Sequence, residues 1–264
     1  MSGPGKSREW NAEAYHRLSG PQKSWGQKVL ERIRLRGDET ILDAGCGTGR
    51  LTADLLQALP RGRVIGIDLS QNMLRAAREH TAHSGTRVSF VAGDFVQMPF
   101  VRAFDGIFST AAFHWVLDHD VLFANLYAAL RPGGWLIAQC GGGPNLKRLR
   151  DRADELMASP KFASSFAGFH EPWEYSDAET AAARLRKAGF TSVETNLEPA
   201  LTTMDGAAHF SDFVKSVIMR LHLQRLSRPL QDEFLARLTE RAAGDDPPFS
   251  LDYWRLNLSA RVPS

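Results

Sequence analysis

Residues 43–49 read Asp43-Ala44-Gly45-Cys46-Gly47-Thr48-Gly49, directly behind the apolar pair Ile41-Leu42 and directly ahead of Arg50 to Leu59. The order is strand, acid, alternating glycines, helix. Glycines let the backbone approach a ligand without a Cβ in the way, and the apolar spacing of Arg50 to Leu59 predicts a helix whose first N–H groups face an anion. A dinucleotide-binding loop is the nearest competitor, because it also sets glycines between a strand and a helix. Its spacing fails: counted from Gly45, G-x-G-x-x-G requires glycine where Arg50 stands, whereas Asp-x-Gly-x-Gly-x-Gly fits without a gap.

The same plan recurs twice downstream. Arg63 to Asp68 is a short β-branched run ending in an acid, followed by Ser70 as a candidate N-cap and by Met73, Leu74 and Ala77 as the apolar stripe of a helix. Val88 to Phe95 is again an apolar strand ending in an acid, Asp94. Phe104 to Ser109 predicts a fourth strand, a helical pattern runs through Leu130, and the turn Arg131-Pro132-Gly133-Gly134 feeds a fifth strand from Trp135 to Cys140. Asp43, Asp68 and Asp94 therefore stand at three successive strand ends. In a doubly wound sheet that edge is where ligands lie, and a carboxylate there accepts hydroxyl hydrogen bonds.

Over residues 40–140 the chain resembles the class I S-adenosylmethionine-dependent methyltransferases. The resemblance implies an α/β fold: a doubly wound, Rossmann-like, seven-stranded and mostly parallel sheet with helices on both faces and helical insertions after strands five and six. It implies S-adenosyl-L-methionine as cofactor, with Asp43, Gly45, Cys46, Gly47 and Gly49 forming the loop, Asp68 at the ribose, Leu69 as a further cofactor contact, Met73 near the adenine, and Asp94 and Phe95 at the base. Ser109, at the end of strand four, completes that set. Members acting on trans-aconitate and related acids carry an aromatic-rich segment ahead of the sheet that shields the methionine portion. Trp10 to Gln22 occupies that place here, with Tyr15 and Gln22 as candidate contacts. Related enzymes place acceptor-facing residues just past strand four, which makes His114, in Phe113-His114-Trp115, the candidate for orienting the acceptor or handling its proton. The activity implied is methyl transfer to a small organic acceptor at oxygen, with a carboxylate among the candidate acceptors. The alternatives are a carbon or nitrogen acceptor, a binding module without turnover, or a nicotinamide oxidoreductase.

What is absent narrows the acceptor. Ser109-Thr110-Ala111-Ala112 replaces the Asn/Asp-Pro-Pro-aromatic motif of relatives that methylate base or amide nitrogens. Asp118 and Asp120 lie where a helix starts, too late to serve as the acids of a magnesium site, so no metal is predicted. A net charge of +2 over 264 residues is too mild to require nucleic acid. Cys46 and Cys140 are the only cysteines and lie far apart, so neither zinc nor a disulfide framework is supported. Met1 to Arg8 is polar, and nowhere is there an uncharged apolar stretch of about 18 residues, which predicts a cytoplasmic protein that avoids the membrane. The oligomeric state is left open.

With 43% hydrophobic residues, the length suits one domain, residues 1–264, with an N-terminal helical cover over 1–39, a cofactor-binding core over 40–140 and helical insertions plus the last strands over 141–264. Beyond Cys140 the patterns predict helices at 145–158, 176–188, 210–226 and 230–243 and strands at 191–201 and 251–261. An aromatic-rich connection joins Phe162 to Tyr175.

Overall fold

A computed structural model describes residues 9–18 and 20–264; Met1 to Arg8 of the expected N-terminal cover lie outside the described residues. By compactness the described residues divide into two units, those up to 143 together with 173–198 and 255–264 in the first and 144–172 and 199–254 in the second.

The first unit is built on one sheet. Its strands are β1 (Thr40–Ala44), β2 (Arg63–Asp68), β3 (Val88–Ala92), β4 (Phe104–Thr110), β5 (Leu130–Gly141), β6 (Thr191–Pro199) and β9 (Trp254–Arg261), in the spatial order β3-β2-β1-β4-β5-β9-β6. The pairs β1–β2, β1–β4, β2–β3 and β4–β5 are parallel and β5–β9 is antiparallel. This is the doubly wound arrangement, and the sequence order reverses beside β1, the switch point where a ligand crevice opens. β1 is buried along its whole length, as a strand covered on both faces must be.

The helices of this unit follow their sequence signals. In α3 (Arg50–Ala58) Thr52, Leu55 and Leu56 are buried. In α4 (Gln71–His80) the Ser70 hydroxyl accepts from the Met73 N–H at 3.3 Å, and Met73, Leu74 and Ala77 are buried. Asp118 caps α5 (His119–Ala129) through the Val121 N–H, and Asp177 caps α7 (Ala178–Lys187) through Thr180. Two further helices, α1 (Ala12–Leu18) and α2 (Gly20–Glu31), precede the sheet.

Three boundaries differ from the patterns. β5 begins at Leu130 and runs through the Arg-Pro-Gly-Gly segment, with a register shift between Phe104 and Gly106 absorbing the irregularity. The run expected as one strand over 251–261 divides into β8 (Ser250–Leu251) and β9. The run expected as one helix over 210–226 breaks into α8 (Gly206–Phe213), a π-helical turn over Val214–Ile218 closed by Met219 N–H to Val214 O at 2.7 Å, and α9 (Arg220–Leu223). Apolar periodicity records which face is buried and is blind to one residue added to a turn.

The second unit is helical: α6 (Lys147–Ala158), α8, α9 and α10 (Arg228–Ala243), with the two-stranded ribbon of β7 (Thr202–Thr203) and β8. Phe162 and Phe166 pack against Phe234, with centroids 5.3 and 5.9 Å away, and Phe210 and Phe213 are fully buried. Arg152 holds Asp245 through two nitrogens at 2.6 and 3.0 Å. Among the described residues no helix is long and apolar enough to cross a membrane.

Candidate active site

The glycine loop is fixed to the end of β2 from beneath. The N–H groups of Gly45 and Cys46 both reach Ile67 O, at 2.9 and 3.1 Å, and the Gly47 N–H reaches Asp68 Oδ2 at 3.0 Å. Gly45, Gly47 and Gly49 all have positive φ, so L side chains there are strained. Their surroundings differ. A Cβ at Gly45 would stand 2.3 Å from Ala112 Cβ and one at Gly49 would stand 3.0 Å from Ala77, so these two glycines permit close packing. A Cβ at Gly47 would meet nothing within 4 Å: it projects into open space at the cleft.

Two adjoining cavities line up along this loop, both within the first unit. One is bounded by Asp68, Leu69, Met73, Phe95, Ala112, Trp10 and Trp115. The other is bounded by Gln22, Lys23, Asp43, Cys46, Thr48, Arg50 and Leu51. Tyr15, Gly45, Gly47, Thr110 and Ala111 border both. The first has the acid, thioether and aromatic ring that suit a nucleoside, and the second has the cations that suit an amino-acid carboxylate. Two buried polar atoms in the second lack a partner, Arg50 Nη1 and Gln22 Oε1. A donor and an acceptor left open on one cavity fit the carboxylate and ammonium of a methionyl group.

The acids behave differently from one another. Asp68 Oδ1 accepts from the Ser70 N–H at 2.9 Å, so each of its oxygens already carries one backbone bond and keeps further acceptor capacity. Its pKa is raised, burial being the main cause. Asp43 is buried and accepts from the Thr52 hydroxyl at 2.6 Å; burial pushes its pKa up to about 7. Asp94 caps the turn Phe95–Gln97 through the Val96 N–H at 3.1 Å, while Phe95 reaches the cleft wall. Cys46 is buried with its thiol pushed well up, chiefly by burial, and so stays protonated. Ser109 departs from expectation: its hydroxyl donates to Ala44 O at 2.7 Å, tying β4 to β1, and the residues that border the cleft are the next two, Thr110 and Ala111. Side chains alternate along a strand, so a one-residue step moves a group from the cavity into the sheet.

At the edge of the cleft lies the turn Phe113–Trp115, whose last residue borders the first cavity. Trp115 meets Trp10 edge-on at 5.4 Å, and Trp10 meets Tyr15 at 5.6 Å. The chain segment 173–175 is held alongside by Glu174 N–H to His114 O at 2.9 Å, with Trp173 6.0 Å from Trp115 and Tyr175 5.8 Å from His114. The His114 ring is almost fully buried and its Nδ1 receives the Gly141 N–H at 3.2 Å. A nitrogen that accepts an N–H carries no proton, so the neutral ring bears its hydrogen on Nε2 and is a donor there. Burial, followed by the charge of Arg255, lowers its pKa to about 3.

Sequence reasoning passed over Arg50, Lys23, Thr48, Thr110 and Ala111. For Arg50 a signal existed. It is the first residue of α3, where the helix dipole disfavours a cation, and a cation at such a place marks an anion to be met. Among the described residues no cluster of three or more His, Cys, Asp or Glu side chains suits a metal ion.

A family model described as a methyltransferase domain matches residues 41–134. A trans-aconitate 2-methyltransferase of Rhodopseudomonas palustris strain BisB18 is 29% identical over 251 residues, covering 91% of this chain and 92% of that protein. A trans-aconitate 2-methyltransferase of Variovorax paradoxus strain S110 is 36% identical over 131 residues, 50% of this chain and 49% of its own. Among solved structures, the Haemonchus contortus phosphoethanolamine N-methyltransferase 2, in complex with phosphomonomethylethanolamine and S-adenosylhomocysteine, superposes with a TM-score of 0.62 at 20% identity. It covers 96% of this chain, which spans 57% of that one.

Proposed function

The chain is an S-adenosylmethionine-dependent methyltransferase with the class I fold, and from that premise we propose that it methylates a carboxylate oxygen of a small organic acid. The observation that carries this reading is the tautomer of His114. Its Nδ1 is occupied by the Gly141 N–H and its pKa lies near 3, so at neutral pH the ring donates from Nε2 and takes no proton. Amines, phenols and carbon acids must lose a proton on methylation, whereas a carboxylate is already deprotonated and nucleophilic. A site whose acceptor-side histidine is a fixed donor suits the acceptor that needs only to be held. The names of the relatives point the same way, since they act on trans-aconitate.

Bound S-adenosylmethionine supplies an electrophilic methyl group on a sulfonium. The protein's part is positioning and exclusion of water. Asp68 would accept from the ribose, Met73, Leu69 and Phe95 would border the base, and Arg50 and Gln22 would take the methionyl carboxylate and ammonium. The rings of Trp10, Tyr15 and Trp115, which line the same cavity, would cover the reacting centre, and His114 Nε2–H would donate to the acceptor oxygen. In-line displacement gains most from such orientation.

The test uses cofactor carrying a labelled methyl group, trans-aconitate as the first acid and a panel of di- and monocarboxylic acids after it. A methyl ester releases labelled methanol under mild alkali; a methyl group on nitrogen or carbon does not. Label that enters product but resists alkali would overturn the carboxylate reading while leaving the methyltransferase standing.

A further inference from the structure

A buried cation stands behind His114. In the antiparallel pair of β5 and β9, Arg255 is the residue opposite Gly141, whose N–H fixes the His114 ring. Arg255 is 3% exposed. Its Nε donates to Gln139 Oε1 at 3.3 Å, and its guanidinium carbon stands 4.6 Å from the Trp25 ring centroid. Gln139 in turn donates to Asn257 Oδ1 at 2.8 Å, and its backbone carbonyl receives the Ala111 N–H at 2.8 Å. Ala111 borders both cavities. The guanidinium is thus held by a ring and a side-chain amide, with β5 standing between it and Thr110 and Ala111 at the end of β4, which border the cleft.

We propose that Arg255 is the specificity-determining charge of the acceptor site, selecting an acidic acceptor whose carboxylate is held by the His114 Nε2–H. The proposal rests on the carboxylate reading above and deepens it. Burying a guanidinium away from water is unfavourable, and here it is held against Trp25 and Gln139, opposite the residue whose N–H fixes His114. The charge of this cation bears on two groups: after burial, it is the leading charge that holds the His114 pKa down, and it acts on the phenol of Tyr15, which borders both cavities. An anion entering the cleft beside Tyr15 is attracted by this charge, and an ammonium is repelled, which separates acids from amines before any contact forms. Arg50 and Lys23 border the other end of the cleft, where the methionyl carboxylate is placed, so the two positive regions divide the two carboxylates between them.

The experiment compares parent, R255Q and R255K for KM and kcat with trans-aconitate, for the Kd of S-adenosylhomocysteine by calorimetry, and for thermal melting. R255Q should raise KM tenfold or more, with kcat changed less than threefold and the Kd of S-adenosylhomocysteine unchanged. R255K keeps the charge but loses the planar stacking on Trp25, and it should recover most of the KM. An unchanged KM in R255Q would overturn the proposal, and so would a KM that stays intact while the Kd for S-adenosylhomocysteine rises, which would assign Arg255 to the cofactor. Equal losses in both variants together with a lowered melting temperature would make it a packing residue, which also overturns it. If the parent esterifies acids and R255Q matches it, Arg255 alone is misassigned; if the parent esterifies no acid, the carboxylate reading fails and the proposal with it.

Discussion

The glycine loop after β1 and the turn Phe113–Trp115 after β4 face the same cleft and are built by opposite means. The loop works through backbone: its N–H groups are spent on Ile67 O and on Asp68, its conformation is set by positive φ, and its thiol is inert. The turn works through side chains: His114, Trp115 and the neighbouring Trp173 and Tyr175 meet ring against ring. A backbone-built site tolerates few residue types at fixed spacings and so leaves a motif. A side-chain-built site can be filled many ways and leaves none. The contrast implies that damage to the loop abolishes cofactor binding, whereas damage to His114 in the turn spares it.

The sharpest break of that contrast is Gly47→Val. The residue has φ of 52° and a Cβ there would project into the cleft, so a branched side chain strains the loop and fills ligand space. Because no protein atom stands within 4 Å of that Cβ, the fold should survive. Calorimetry with S-adenosylhomocysteine should detect no binding by a variant whose circular dichroism matches the parent. Normal binding would make the loop a structural turn.

Asp68→Ala should have the next largest effect. A hydroxyl bond to a carboxylate is worth about 1.5 to 3 kcal/mol, so the Kd for the cofactor product should rise about ten- to a hundredfold. The Gly47 N–H loses its acceptor in the same variant. Asp68→Asn retains an acceptor oxygen and should lie between the two. If Asp68→Ala binds as tightly as the parent, the ribose is held elsewhere.

The acceptor side is tested by His114. As a donor that orients the acceptor, its replacement by Ala should lower kcat/KM about ten- to a hundredfold with cofactor affinity intact, and His114→Gln, which keeps an N–H donor, should recover most of it. A general base would give the reverse, with no rescue by Gln. The pH dependence follows from the sign of the shift. Burial brings the folded pKa down to about 3, below the roughly 6.5 of an unfolded histidine, so between those values the unfolded chain holds more protons. The stabilising preference for neutral His114 is therefore complete above about pH 6.5 and is lost as pH falls toward 3. A rate profile should show no limb from this group at neutral pH. A limb near 6.5 that vanishes in His114→Gln would contradict the fixed tautomer.

The same contrast explains how far the sequence could be read. Asp43, Asp68 and Asp94 at successive strand ends, with glycines at three alternating positions, specify the sheet and the loop together, because strand period and turn chemistry agree there. The division of labour within the segment from Phe162 to Tyr175 was not legible. Phe162 and Phe166 close the core of the helical unit against Phe234, whereas Trp173 and Tyr175 stand by His114. Apolar character alone cannot say which core a ring joins. Nor does a pattern of apolar residues record hydrogen-bond direction, so the choice of tautomer at His114, which depends on the backbone of Gly141, required coordinates.

The smallest expected effect separates a residue of the sheet from a residue of the cleft only one position away. Ser109 donates to Ala44 O across the β1–β4 pair and is 1% exposed, while Thr110 borders both cavities. Ser109→Ala removes a buried donor and leaves the Ala44 carbonyl short of one partner, which should cost about 1 kcal/mol of stability. For a domain of this size that is a fall of about 2 to 4 °C in melting temperature. The Kd for S-adenosylhomocysteine should be unchanged, because the hydroxyl never faces the ligand. Thr110→Val, in contrast, removes a hydroxyl at the cleft and keeps the β-branched shape, so its stability should hold and any change should appear in binding. Weakened binding in Ser109→Ala with full stability would return Ser109 to the cofactor site and would mean that the loop and strand four share the ligand through side chains after all.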